Sequence, residues 1–122
     1  MRKEELVATT RSAHTVWEGN LLEGNGVVTF DSSGAIGEQP VTWASRAQEA
    51  NGKTSPEELI AAAHSACYNM ALSNILAKAG TPPQALDTRA DVTFEPGVPV
   101  GYELSPRRSR ADASIASRSR TA

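Results

Sequence analysis

Ser55-Pro56-Glu57-Glu58 sets a serine where a helix N-cap stands, a proline at the first helical position and a glutamate at the third, the layout of a capping box. From Pro56 the chain runs through Leu59, Ile60, Ala63, Cys67, Met70, Ala71, Leu72, Ile75 and Leu76 without a breaker until Gly80 and Pro82-Pro83. A helix of about 24 residues is about 36 Å long if straight, a large element for a chain of 122 residues. Its middle turns, Ala61-Ala62-Ala63-His64-Ser65-Ala66-Cys67, are small and mostly apolar, which suits a helix packed closely on several sides. Such a helix must be central to the fold, and Cys67 sits in its middle.

The rest of the chain supplies short strands. Met1 to Thr10 carries mixed charge and no period, so residues 1–10 are expected to be an N-terminal extension to a domain spanning residues 11–97. Ala13-His14-Thr15-Val16-Trp17 and Val27-Val28-Thr29-Phe30 are rich in β-branched and aromatic residues and are separated by Gly19, Gly24, Asn25 and Gly26, the pattern of a β-hairpin. Val41 to Arg46 follows Pro40 and is expected to add a third strand by local pairing. Beyond the helix, Asp87 to Phe94 alternates as one more strand. The fold class expected is therefore α+β, a small antiparallel sheet packed on a long central helix. Residues 98–122 differ: five arginines, five serines and two prolines with no sustained period predict a basic tail without regular structure. Ordered structure is expected to end near Gly97, leaving the fold incomplete at its C-terminal end.

Charge and cysteine content exclude several functions. A formal net charge of −2 gives no long-range attraction to nucleic acid or acidic membranes. The basic runs Arg107-Arg108-Ser109-Arg110 and Arg118-Ser119-Arg120 lack interleaved aromatics and read as solvated, so nucleic-acid binding is not expected. No apolar run is long enough to span a bilayer, no signal-peptide core follows Met1, and one cysteine forms no intrachain disulfide, so a cytoplasmic protein is expected.

Taken alone, Cys67 is most simply a small buried hydrophobe, since free cysteine is among the most buried residue types. Chemistry would require a thiolate, and Cys67 is about three turns into the helix, beyond useful reach of its dipole. A cation must then come from another element. Arg46 is the better donor because guanidinium stays charged when partly buried, while an exposed, salt-bridging arginine is the commoner outcome for such a residue. His64, one turn before Cys67, reads as a packed or hydrogen-bonded histidine, and the pair offers too few ligands for a metal.

Ala44-Ser45-Arg46, then Gly52-Lys53-Thr54-Ser55-Pro56-Glu57-Glu58-Leu59-Ile60-Ala61-Ala62-Ala63-His64-Ser65-Ala66-Cys67-Tyr68 and Met70-Ala71-Leu72, resembles the reactive-cysteine region of the OsmC/Ohr family, nearer its OsmC branch. Trp17-Glu18-Gly19 upstream and Arg89-Ala90-Asp91-Val92 downstream match in order, so the similarity runs from Ser12 to Phe94. The resemblance implies an intertwined α+β homodimer that reduces organic hydroperoxides, and some hydrogen peroxide, in oxidative or osmotic stress defence. It implies Cys67 as the peroxidatic thiol, Arg46 as the group that favours the thiolate and polarises the peroxide, and Glu57 as the carboxylate that orients Arg46. It implies no bound cofactor, only an external thiol or a dithiol such as a lipoylated protein as reductant.

Geometry constrains this assignment. Ten positions along a straight helix separate Glu57 from Cys67 by about 15 Å and about 80° of rotation, so they cannot share a site on one uninterrupted helix. Either the helix breaks between them or one group comes from a second subunit. The family's second cysteine, which resolves the sulfenic acid as a disulfide, has no counterpart here, so turnover is expected to need an external thiol and overoxidation to compete. The competing expectation is an inactive remnant, truncated or shifted in reading frame near Gly97, that has lost the catalysis.

Overall fold

The computed structural model describes residues 7–97, 101–106 and 119–121, the last two stretches by their backbone. The elements are β1 (Ala13–Glu18), β2 (Asn25–Phe30), β3 (Gln39–Val41), α1 (Trp43–Ala47), α2 (Pro56–Lys78), β4 (Thr88–Thr93), β5 (Gly101–Pro106) and β6 (Ser119–Thr121). They fall into two compact units, Met1–Thr54 and Ser55–Ala122, so the fold is mixed α+β with the long helix opening the second unit. Residues 7–10 of the expected N-terminal extension carry neither helix nor strand.

The first unit is an antiparallel sheet in the order β1-β2-β3. Trp17 pairs with Gly26 across β1 and β2, and a Cβ at Gly26 would stand 2.7 Å from the indole ring, so glycine is required for the ring to lie there. The indole Nε1 then donates to the carbonyls of Gly19 and Asn20 at 3.1 and 3.3 Å, closing the loop that follows β1. Val28 and Val41, 7% and 8% exposed, are the buried apolar residues of the described chain. Such a small core places few demands on the sheet's outer residues, and Val16, Trp17 and Val27 remain exposed.

The expected third strand from Val41 to Arg46 is corrected: β3 stops at Val41, and Thr42 caps a one-turn helix, α1, that carries Arg46. The cause is local. Thr42 Oγ1 accepts the Ser45 amide at 3.0 Å and Ser45 Oγ accepts the Thr42 amide at 3.0 Å, a reciprocal capping box that outcompetes the β propensity of Val-Thr-Trp.

In the second unit, Ser55 caps α2 as its sequence predicts, its Oγ accepting the Glu58 amide at 3.2 Å with Pro56 at the first position. The helix ends in a Schellman motif: the Gly80 amide donates to Ala77 O at 3.0 Å and the Thr81 amide to Leu76 O at 2.9 Å, with Gly80 at φ +85°. One face of α2 packs along β4, whose residues alternate between half-buried Thr88, Ala90 and Val92 and exposed Arg89, Asp91 and Thr93. Thr88 Oγ1 donates to Asn69 Oδ1 at 2.6 Å, and Asn69 Nδ2 donates to Leu86 O at 3.4 Å, so one side chain of α2 holds the start of β4.

The second sheet takes in part of the C-terminal segment. Gly101–Pro106 pairs antiparallel with β4 from Thr88↔Pro106 to Thr93↔Gly101, and Ser119–Thr121 pairs with β5, giving a second three-stranded sheet in the order β4-β5-β6. Pro96-Gly97, with Gly97 at φ +80°, ends β4, and Tyr102-Glu103-Leu104-Ser105 alternates enough to extend the sheet. Residues 98–100, 107–118 and 122 of the expected tail lie outside the described residues, as do residues 1–6.

Candidate functional site

α2 runs unbroken from Pro56 to Lys78. Its apolar residues are spread round the whole circumference rather than gathered in one stripe, the composition of a helix that needs cover on more than one side. One side has that cover: Glu57, Ala61, His64, Tyr68, Asn69 and Leu72 are buried or half-buried. The opposite side is open to solvent along Ile60, Ala63, Cys67, Met70, Ala71 and Ile75, with Ile60 44%, Met70 74% and Ile75 62% exposed.

Cys67 lies at the centre of this apolar face and its thiol is free and exposed. The reading of Cys67 as a buried packing residue is therefore corrected, because β4 covers the other side of α2. His64 lies on the covered side, half-buried, with Nε2 shielded from solvent. Among the described residues no three His, Cys, Asp or Glu side chains converge to hold a metal. No described helix is long and apolar enough to cross a membrane.

Glu57, in the first turn of α2, is 6% exposed. Because the helix does not break between them, Glu57 and Cys67 of one chain are held about 15 Å apart along its axis. Of the two ways in which they could share a site, an interrupted helix is thus removed. Arg46 belongs to the first unit, half-buried in the last turn of α1, whereas Glu57 and Cys67 belong to the second.

The turn that carries Arg46 is tied down by residues that sequence reasoning passed over. Ser45, 9% exposed, donates through Oγ to Thr54 O at 2.9 Å, with Thr42 O also in reach of that hydroxyl at 3.0 Å. Thr54 is itself 9% exposed and bridges Val41 in parallel, just ahead of the Ser55 cap of α2. The signal that would have revealed α1 is Thr42-Trp43-Ala44-Ser45, a capping-box spacing with serine in the place usually taken by glutamate or glutamine.

Comparison with known proteins adds the family. The model of the OsmC-like protein family matches residues 49–117, which include Glu57 and Cys67 and begin just after Arg46. The match also passes Gly97, so the similarity does not stop at Phe94 as the motifs alone implied. The chain is 38% identical over 99 residues to peroxiredoxin OsmC of Escherichia coli (strain K12) and, equally, to peroxiredoxin OsmC of Shigella flexneri. The aligned stretch is 81% of this chain and 67% of each relative.

Proposed function

The chain belongs to the OsmC-like protein family, and from that premise we propose that it is a thiol-dependent peroxidase in which Cys67 meets the peroxide. The observation that carries this reading is the position of the thiol: the chain's one cysteine is exposed at the centre of an apolar face of α2, inside the stretch that matches the family. An apolar surround favours an alkyl hydroperoxide over a fully hydrated one, because burial of its hydrocarbon contributes about 0.8 kcal/mol per methylene.

In the proposed reaction the Cys67 thiolate attacks one peroxide oxygen and the O–O bond breaks. The other oxygen departs as alkoxide and takes a proton to become the alcohol, leaving Cys67 as a sulfenic acid. Arg46 stabilises the thiolate and the developing negative charge, and Glu57 orients the guanidinium through an ion pair. With one cysteine in the chain, an external thiol must attack the sulfenic sulfur, releasing water and forming a mixed disulfide. A second thiol, or the other arm of a dithiol such as a lipoyl group, then restores Cys67. Cytoplasmic thiols meet this need, and no resident cofactor is required.

The working unit in this reading is a homodimer. The uninterrupted helix keeps Glu57 of a chain away from its own Cys67, and the exposed apolar face around Cys67 asks for a partner. A second copy answers both requirements.

The test is steady-state consumption of cumene hydroperoxide by purified full-length protein, with and without dithiothreitol or dihydrolipoamide. Multiple turnovers with thiol, a single turnover without it, and none in Cys67→Ser support the reading. A folded protein that consumes no peroxide under either condition is an inactive remnant of the family.

A further inference from the structure

We propose that Ser45 is a positioning residue for Arg46: its hydroxyl holds the turn that carries the guanidinium against the backbone that leads into α2. The inference rests on the reading that Arg46 serves Cys67, and goes beyond it by naming what keeps Arg46 in place.

Capping alone does not explain the contacts of Ser45. The box needs two bonds, Thr42 Oγ1 accepting the Ser45 amide and Ser45 Oγ accepting the Thr42 amide, both at 3.0 Å. The hydroxyl hydrogen is left over for an acceptor, and the nearest is Thr54 O at 2.9 Å, nine positions along the chain. That bond contributes nothing to starting α1. It joins α1 to an extended residue that is buried and bridged to Val41.

α1 needs such a tie. A helix of five residues does not sustain itself, since nucleation fixes several dihedrals for one hydrogen bond and tertiary contacts must supply the rest. Arg46 follows Ser45 directly, so any shift of this turn displaces the guanidinium. Displacement of about 1 Å costs up to about 100-fold in rate when a group must stabilise charge at a defined point. Ser45 is mostly shielded from solvent, so water does not easily replace the missing bond when the hydroxyl is removed.

The experiment uses the full chain and measures the second-order rate of Cys67 oxidation by cumene hydroperoxide in single turnover, beside the melting temperature. The variants are Ser45→Ala, Thr42→Ala, Arg46→Ala and the double variant Ser45→Ala/Arg46→Ala. Thr42→Ala removes the cap but keeps the bond from Ser45 to Thr54, so it reports the cost of a weakened α1. The expected result is a rate about tenfold lower in Ser45→Ala than in Thr42→Ala, with no further loss when Ser45→Ala is added to Arg46→Ala. A purely structural serine would slow both backgrounds by the same factor, and that result overturns the proposal. Equal rates for Ser45→Ala and Thr42→Ala also overturn it. Should Ser45→Ala not fold, Ser45→Thr retains the hydroxyl: a rate within about threefold of wild type supports the proposal, and a tenfold loss in folded protein overturns it. An unreactive Cys67 in the wild-type protein overturns the peroxidase reading together with this one, a result distinct from any in which wild type reacts and only the Ser45 comparison fails.

Discussion

Glu57 and Cys67 stand ten positions apart on one uninterrupted helix, Glu57 6% exposed near its start and Cys67 open to solvent in its middle. A straight helix carries them about 15 Å apart along its axis and about 80° apart in direction. If both serve one reaction, they serve it from different chains.

That requirement predicts complementation. Cys67→Ser keeps Glu57 and Glu57→Gln keeps Cys67, so each homodimer is impaired. Co-refolding the two chains creates heterodimers in which one site has an intact Cys67 facing an intact Glu57. Peroxide consumption by the mixture is expected to exceed the sum of the two parents several-fold, measured as cumene hydroperoxide loss with dithiothreitol present. A mixture that equals the sum removes the two-chain site.

The exposed face of α2 predicts assembly. Burying Ile60, Met70 and Ile75 fully is worth about 1.5–3 kcal/mol each, before the cost of association. Ile75→Glu is expected to weaken the dimer by at least tenfold in sedimentation velocity, because a carboxylate would be desolvated at the contact. Glu58→Lys changes an exposed position on another side of the helix and is expected to leave the dimer intact.

The Ser55 cap predicts a modest, separable stability effect. Ser55→Ala removes the acceptor of the Glu58 amide and should cost about 1 kcal/mol, lowering the melting temperature by about 4–8 °C. Ser55→Gly should cost only a few tenths of that energy, so the order wild type, Gly, Ala in thermal denaturation checks the mechanism.

The bond from Thr88 to Asn69 predicts a coupled pair. Thr88→Val leaves Asn69 Oδ1 without the 2.6 Å donor and should cost about 1–2 kcal/mol in denaturant unfolding. Asn69→Leu also removes the bond to Leu86 O, so the double variant is expected to cost less than the sum of the two single variants, because the bond that the two side chains share is lost only once. Cys67 lies on the other side of α2, so its reactivity should be unchanged.

What was legible in the sequence was whatever local chemistry decides. Ser55-Pro56 and Gly80 mark the ends of α2 because caps and left-handed glycines act within one turn. The β1-β2 hairpin was equally plain from two β-rich runs around glycines. α1 was hidden because Val-Thr-Trp favours strand while the deciding bonds, between Thr42 and Ser45 and from Ser45 to Thr54, depend on a capping box and a distant carbonyl. β5 was hidden because its alternation is short and becomes a strand only beside β4. At the site, the motif singled out Cys67, Arg46 and Glu57, but the exposure of Cys67 depends on which side of α2 meets β4, and α2's own pattern is nearly even round its circumference.

The most direct measurement is mass spectrometry of the intact protein after one equivalent of cumene hydroperoxide in the presence of dimedone, with Cys67→Ser alongside. A rapid adduct of one dimedone per chain, absent in Cys67→Ser, is the expected result, since no second cysteine competes for the sulfenic acid. A folded protein whose Cys67 remains a plain thiol would contradict the peroxidase reading.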